Sequence, residues 1–123
     1  MITLQAIRKF AAAAFQASHT AGVAAIAVFT TTGEAARLVS RFRPSVPIYA
    51  FTPSQEVARQ LLFNFGVHPV FSGVLNSTDQ MLAVVERTLL SRGLLRPGDG
   101  VIIVAGQPIG ESGATNLLKL HRV

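Results

Sequence analysis

Two stretches of this chain carry no polar side chain at all: Val23-Ala24-Ala25-Ile26-Ala27-Val28-Phe29 and Val101-Ile102-Ile103-Val104-Ala105. Both have strand length. A strand with one wet face alternates polar and apolar residues, whereas a continuous apolar run demands cover on both faces. That is the habit of a parallel sheet sandwiched between helices. It restricts this chain to the α/β class more than any other feature does.

The segments between the runs supply those helices. From Thr3 to about His19, apolar residues recur at Leu4, Ile7, Phe10, Ala11, Ala14 and Phe15, the three-and-four spacing of an amphipathic helix. Gly33 to Arg43 repeats the pattern through Ala36, Leu38, Val39 and Phe42, and Pro44 stops it, since the residue before proline avoids helix. Ile48 to Phe51 reads as a short strand. Thr52-Pro53-Ser54-Gln55 reads as a helix start, with Thr52 as cap, Pro53 in the first turn and Gln55 closing a capping box. That helix is expected to reach Phe65 and end on Gly66. Val67 to Phe71 is a strand, and Ser77 or Thr78 caps a long helix ended by Gly93.

A last strand, Asn116 to Val123, follows Val101–Ala105, and the stretch from Gly106 to Asn116 that leads into it has only eleven residues. These are too few and too glycine-rich for a crossover helix, so the last pair must be antiparallel. The expected fold is a three-layer α/β/α sandwich: a five-stranded mixed sheet of four parallel strands and an antiparallel C-terminal strand. Residues 1–123 read as a single domain, without linker, repeat or low-complexity tract. Lys119, His121 and Arg122 would be charged insulation on the edge strand.

Composition removes several function classes. With a mean hydropathy of +0.44 the chain is apolar, yet no apolar run approaches the roughly 20 residues of a membrane span. The first residues lack the basic-then-apolar order of a signal peptide, and with no cysteine there is neither disulfide framework nor thiolate metal site. A cytoplasmic chain without membrane contact is expected. The net charge is +5, and nine of the eleven cations are Arg. These cations form no run, and a single Tyr with no Trp leaves little stacking surface, so nucleic acid is not expected as a partner. A small phosphorylated anion fits better, because the planar fork of Arg matches phosphate.

Open α/β sheets bind ligands where strands end at their carboxyl side. Two loops leave such ends. Thr30-Thr31-Thr32-Gly33 offers hydroxyls and backbone N–H groups at a helix start, suited to phosphate; equally, one of its threonines can simply cap that helix. The loop from Gly106 to Thr115 offers Gly110 and Gly113 for close backbone approach and Ser112 and Thr115 for hydroxyls, or it is a turn before an edge strand. Neither loop is a P-loop or a dinucleotide fingerprint. His19, His68 and His121 have no ligand spacing, the six acids are scattered singly, and no serine has a Gly-x-Ser-x-Gly setting. No catalytic or metal-ligating residue is expected. Arg41 suits the dipole at a helix C-terminus, and Arg43 is a candidate for contact with another domain or subunit.

Three sets of residues, in order along the chain, carry a family resemblance. They are Thr30-Thr31-Thr32-Gly33 with Arg41-Phe42-Arg43-Pro44-Ser45-Val46-Pro47-Ile48; Thr52-Pro53, Ala58-Arg59-Gln60-Leu61 and Gly66-Val67-His68-Pro69; and the run from Gly98 to His121. Together they resemble the C-terminal domain of pyruvate kinase. The resemblance implies that the strands before the two loops are neighbours, so that the loops converge. It implies a domain without chemistry of its own, carrying an allosteric effector site in many members and forming a subunit interface. Phosphoenolpyruvate, ADP, Mg and K would belong to a catalytic domain not found in these residues, and no cofactor is implied for this one. The effector residues implied are Thr30, Thr31, Thr32, Gly33, Gly110, Ser112, Gly113 and Thr115. Glu34 and Ala35 depart from the family's phosphate loop, placing a negative charge and losing a hydroxyl. With no Trp, and only Arg92 and Arg96 near the position of the family's second-phosphate clamp, a sugar monophosphate or AMP is expected rather than a bisphosphate. The implied partners are that effector and pyruvate kinase catalytic domains or a second copy. A free-standing phosphate-ligand sensor, or a small-molecule enzyme on the same fold, is the other reading.

Overall fold

The computed structural model describes residues 4–105 and 117–123. Its elements are α1 (Leu4–Ala17), β1 (Val23–Phe29), α2 (Glu34–Arg41), β2 (Ile48–Thr52), α3 (Gln55–Leu61), β3 (Val67–Phe71), α4 (Thr78–Ser91), β4 (Gly100–Ala105) and β5 (Leu117–Arg122). The strands form one sheet in the order β3-β2-β1-β4-β5. β1 pairs in parallel with β2 and β4, and β2 with β3, while β5 runs antiparallel to β4 with Leu120 opposite Ile102. The expected architecture is therefore the observed one.

The apolar strands are explained by two cores, one on each face. On the first, Ile26, Val28, Ile48, Ala50, Ile102 and Val104 meet α1 through Ile7, Ala11 and Ala14, α2 through Leu38 and Val39, and α3 through Leu61. On the second, Ala25, Ala27, Tyr49, Phe51, Val101 and Ile103 meet α4 through Val84, Val85 and Leu89. Successive residues of each central strand thus alternate between two dry layers, and each large side chain so buried contributes about 1.5–3 kcal/mol. Among the described residues, no helix is long and apolar enough to cross a membrane.

Local chemistry sets the element ends, and here the expectations need correction. Thr52 does not cap α3: it stays in β2, paired in register with Phe71. The cap is Ser54, whose Oγ accepts from Val57 N at 3.2 Å, so Pro53 precedes the cap instead of opening the helix. Nor does α3 reach Phe65. It ends at Leu61, and tighter turns carry Leu62 to Asn64 toward β3 (Asn64 N donates to Leu61 O at 3.1 Å). Ser77 is the cap of α4, as one of the two expected candidates. At the far edge His121 on β5 is more than insulation: its Nε2 lies 2.7 Å from Glu86 Oε1, tying the edge strand to α4.

Candidate functional site

The sheet reverses its direction of growth at β1. The chain leaves β1 through α2 to β2 on one side, and returns from β3 through α4 to β4 on the other. In open α/β sheets the crevice at such a switch point, beyond the carboxyl ends of the strands, is where ligands bind. Val28 is paired with Val104, so β1 and β4 end side by side. This adjacency is the one that convergence of the two loops requires. Gly110, Ser112, Gly113 and Thr115 lie outside the described residues.

The first loop is well defined. Thr30 N donates to Phe51 O at 3.0 Å, extending the sheet's bonding one residue past β1. Thr30 is buried, and its Oγ1 accepts from Gly33 N at 2.8 Å. Gly33 is the N-cap of α2 at φ 90°, a left-handed conformation that glycine adopts without steric cost. Thr32 is exposed at the loop tip, and its Oγ1 accepts from Glu34 N at 3.3 Å. The threonines therefore do not act alike. Thr30 is fixed within the fold and already occupies one N–H of the loop. Thr32, held by a longer, exposed bond, is the hydroxyl that can turn toward a ligand. Thr31 is half-buried between them.

Sequence reasoning missed Arg37. Its Nη1 donates to Thr32 O at 3.2 Å and its Nη2 to Gln60 Oε1 at 3.3 Å. The guanidinium thus lies across Gly33, where an added Cβ would stand 3.1 Å from Cζ. The signal was available: side chains on a helix lean toward its N-terminus, so a residue four positions past the cap reaches back over it. The loop therefore presents a guanidinium, an exposed hydroxyl and the positive end of α2's dipole, opposed by Glu34 in the first helical turn. That set is suited to holding an anion and offers no nucleophile or proton-transfer pair.

The remaining polar groups stand apart. His19 packs edge-on to Phe15 at 4.8 Å, and His68 lies against the Tyr49 ring at 5.4 Å. Burial holds the Tyr49 phenol above its usual pKa of 10.0. Among the described residues, no three His, Asp or Glu side chains gather as a metal site.

Comparison with known proteins agrees with the fold. The sequence matches the family described as pyruvate kinase, alpha/beta domain, over residues 8–121. It is 43% identical to a pyruvate kinase of Clostridium acetobutylicum over 99 residues, covering 80% of this chain and 21% of that protein. It is 41% identical to one from Geobacillus stearothermophilus over 107 residues, 85% of this chain and 18% of the relative. With one from Staphylococcus aureus (strain USA300) the identity is 43% over 109 residues, 86% and 19% respectively. The chain thus spans about a fifth of the length of the curated relatives it matches.

Proposed function

The chain belongs to the pyruvate kinase alpha/beta domain family, and from that premise we propose that it is a non-catalytic regulatory and assembly domain that binds a phosphorylated small molecule. The ligand is a sugar monophosphate or AMP. The parent activity is transfer of phosphate from phosphoenolpyruvate to ADP in the cytoplasm, performed by catalytic domains with which this one assembles.

The observation that carries the reading is the Thr30–Gly33 loop at the switch point, with the Arg37 guanidinium laid over it. A phosphate arriving there takes hydrogen bonds from Thr32 Oγ1, from the first turn of α2 and from Arg37, which gives up the Thr32 carbonyl to make them. A charge-assisted bond contributes about 1.5–3 kcal/mol net. Two or three of these, less the cost of localising a small ligand, put the dissociation constant at about millimolar to high micromolar.

Amide NMR shifts under titration with AMP, ribose 5-phosphate, glucose 6-phosphate and fructose bisphosphate test the site. The expected result is saturable shifts at Thr30 to Arg37 with a monophosphate. Absence of shifts with all four at millimolar concentration would leave the domain a purely structural role. A lactate dehydrogenase-coupled assay on the chain, with phosphoenolpyruvate, ADP, Mg²⁺ and K⁺, tests non-catalysis. Turnover near an ordinary enzyme's ~10 s⁻¹ would refute it.

A further inference from the structure

Arg37 lies past the Gly33 cap by about one helical turn, and a long side chain there leans back toward the helix N-terminus. Its guanidinium meets Gly33 face-on: Cζ, Nη2 and Nη1 stand 3.1, 3.1 and 3.2 Å from the point that a Cβ would occupy. Three nearly equal distances mean that the plane of the group is laid flat on the backbone. The two terminal nitrogens are then turned sideways, and each holds one acceptor. Nη1 donates to the Thr32 carbonyl at 3.2 Å and Nη2 to Gln60 Oε1 at 3.3 Å.

The two acceptors differ in kind. Thr32 belongs to the loop itself and moves with it. Gln60 belongs to α3, 23 positions further along the chain, and is exposed on a helix seated in the first core by Leu61. It fixes Arg37 from outside α2 and its loop. Both acceptors are neutral oxygens. A guanidinium grips a phosphate through two parallel N–H groups with charge on both sides, whereas here each nitrogen has an uncharged partner. The Gln60 amide is also open to water, which takes over its hydrogen bond when Arg37 leaves, so release costs little. An anion at the loop therefore outcompetes Gln60 for Nη2.

We propose that Gln60 is a positioning residue for the anion site: it holds Arg37 flat on Gly33 in the unliganded domain and yields it when a phosphate binds. The affinity of the site is thereby set from α3, and occupancy is reported there as a freed Gln60 amide. This deepens the anion reading proposed above and rests on it. Leu61 stays buried, and the bond from Ser40 Oγ to Phe65 O still joins α2 to the turn after α3, so α3 keeps its seat when Gln60 lets go.

The test follows the chain by NMR during titration with ribose 5-phosphate, reading the Gln60 side-chain amide beside the backbone amides of Thr30 to Arg37. Arg37→Ala supplies the reference, since it frees Gln60 without any ligand. On saturation, the Gln60 amide signals of the native chain are expected to move to the position that they hold in Arg37→Ala. Gln60→Ala is expected to tighten binding about threefold, because a competitor worth about the lowest value for a net hydrogen bond is gone. Gln60→Glu is expected to weaken it about fivefold, because a carboxylate both holds Arg37 harder and repels the phosphate. If Gln60 merely steadied α3, the two variants would not move the affinity in opposite directions. Backbone shifts at Thr30 to Arg37 without movement of the Gln60 amide would overturn this proposal and leave the anion site standing. So would a Gln60→Ala chain that binds no more tightly than the native one. Absence of backbone shifts in the native chain and in Gln60→Ala alike would remove the anion site itself, and this proposal with it.

Discussion

Arg37 lies across Gly33, its Cζ 3.1 Å from the point where a Cβ on residue 33 would stand. Gly33 is also at φ 90°, where an L side chain costs about 1–2 kcal/mol. The two constraints are separate, one of backbone and one of packing, and both bear on Gly33→Ala. We expect that substitution to destabilise the domain by about 2 kcal/mol in chemical denaturation. It should also detach Arg37 from Thr32 and Gln60. A loss below about 0.5 kcal/mol would mean that the loop rearranges freely and that Arg37 does not fix it.

Val23–Phe29 was legible because both its faces are covered, and it has the bounds that its apolar run implies; Val67–Phe71 also has the expected bounds, although it is an edge strand with His68 and Phe71 exposed. The start of α3 was not. Thr52-Pro53 has the chemistry of a cap and first turn, but parallel pairing with Phe71 holds Thr52 in the sheet and passes the capping role to Ser54. The end of α3 misled for a related reason. Leu61, Leu62 and Phe65 keep a helical spacing, yet only Leu61 faces the core, and the other two are exposed. Periodicity reports which residues are apolar, and an apolar residue left in solvent looks the same as one reserved for the core. In the candidate site, the threonines were legible as residue types. Their division of labour was not, since it depends on Thr30 being buried and Thr32 exposed. The Arg37–Gln60 and His121–Glu86 pairs join residues 23 and 35 positions apart, and no local pattern encodes them.

Ser40 is buried, and its Oγ donates to Phe65 O at 2.6 Å. It is the side-chain hydrogen bond that holds the exposed turn before β3 to α2. Ser40→Ala removes the donor and leaves a part-buried carbonyl without it. The expected cost is about 1–2 kcal/mol by denaturant titration, with increased hydrogen exchange at residues 62–66. An unchanged exchange rate there would show that the turn is held by other means.

Arg43 sits at φ 50°, among the described residues the only non-glycine with positive φ. It occupies the position after the helix cap where glycine is usual. Arg43→Gly relieves about 1 kcal/mol of backbone strain and forfeits an exposed cation–π contact of about 0.5–1 kcal/mol. The net change in stability should therefore be small, within about 0.5 kcal/mol of zero. A loss above about 1.5 kcal/mol would show that the stacking of Arg43 on Phe65 is a main support of the turn.

Tyr49 is buried in the second core, and burial raises its phenol pKa above 10.0. The folded state therefore favours the neutral ring. Below the unfolded pKa both states carry the proton, and the stabilisation is fully present. As pH rises past about 10 the unfolded chain loses the proton first, so stability falls until the native Tyr49 ionises too. Since this is the chain's single Tyr and it has no Trp, tyrosinate absorbance reports this residue alone. The native titration should lie above that in denaturant, and Tyr49→Phe should remove its share of the alkaline loss. Coincident titrations in the two states would contradict the assignment.

The charges around the anion loop oppose each other, and that gives the sharpest test of the proposed site. Glu34 opens α2, and Arg37 reaches back over Gly33 from the same helix. A unit charge about 6 Å from a phosphate in a water-like dielectric is worth ~0.7 kcal/mol, so Glu34→Gln should tighten a monophosphate about threefold. Arg37→Ala removes a charge-assisted bond and should weaken binding about tenfold, the lower end for an exposed pair. Both effects should shrink as salt is raised, because the loop tip is open to solvent. Thr32→Ala should weaken binding with little change in stability, its bond to Glu34 N being long and exposed. Thr30→Ala should act the other way round: it exposes the buried Gly33 N–H and costs about 1–2 kcal/mol of stability. Calorimetric titration with ribose 5-phosphate at two salt concentrations separates these cases. If Glu34→Gln and Arg37→Ala shift the affinity in the same direction, the anion does not sit over α2, and the loop's bonds serve only to cap the helix.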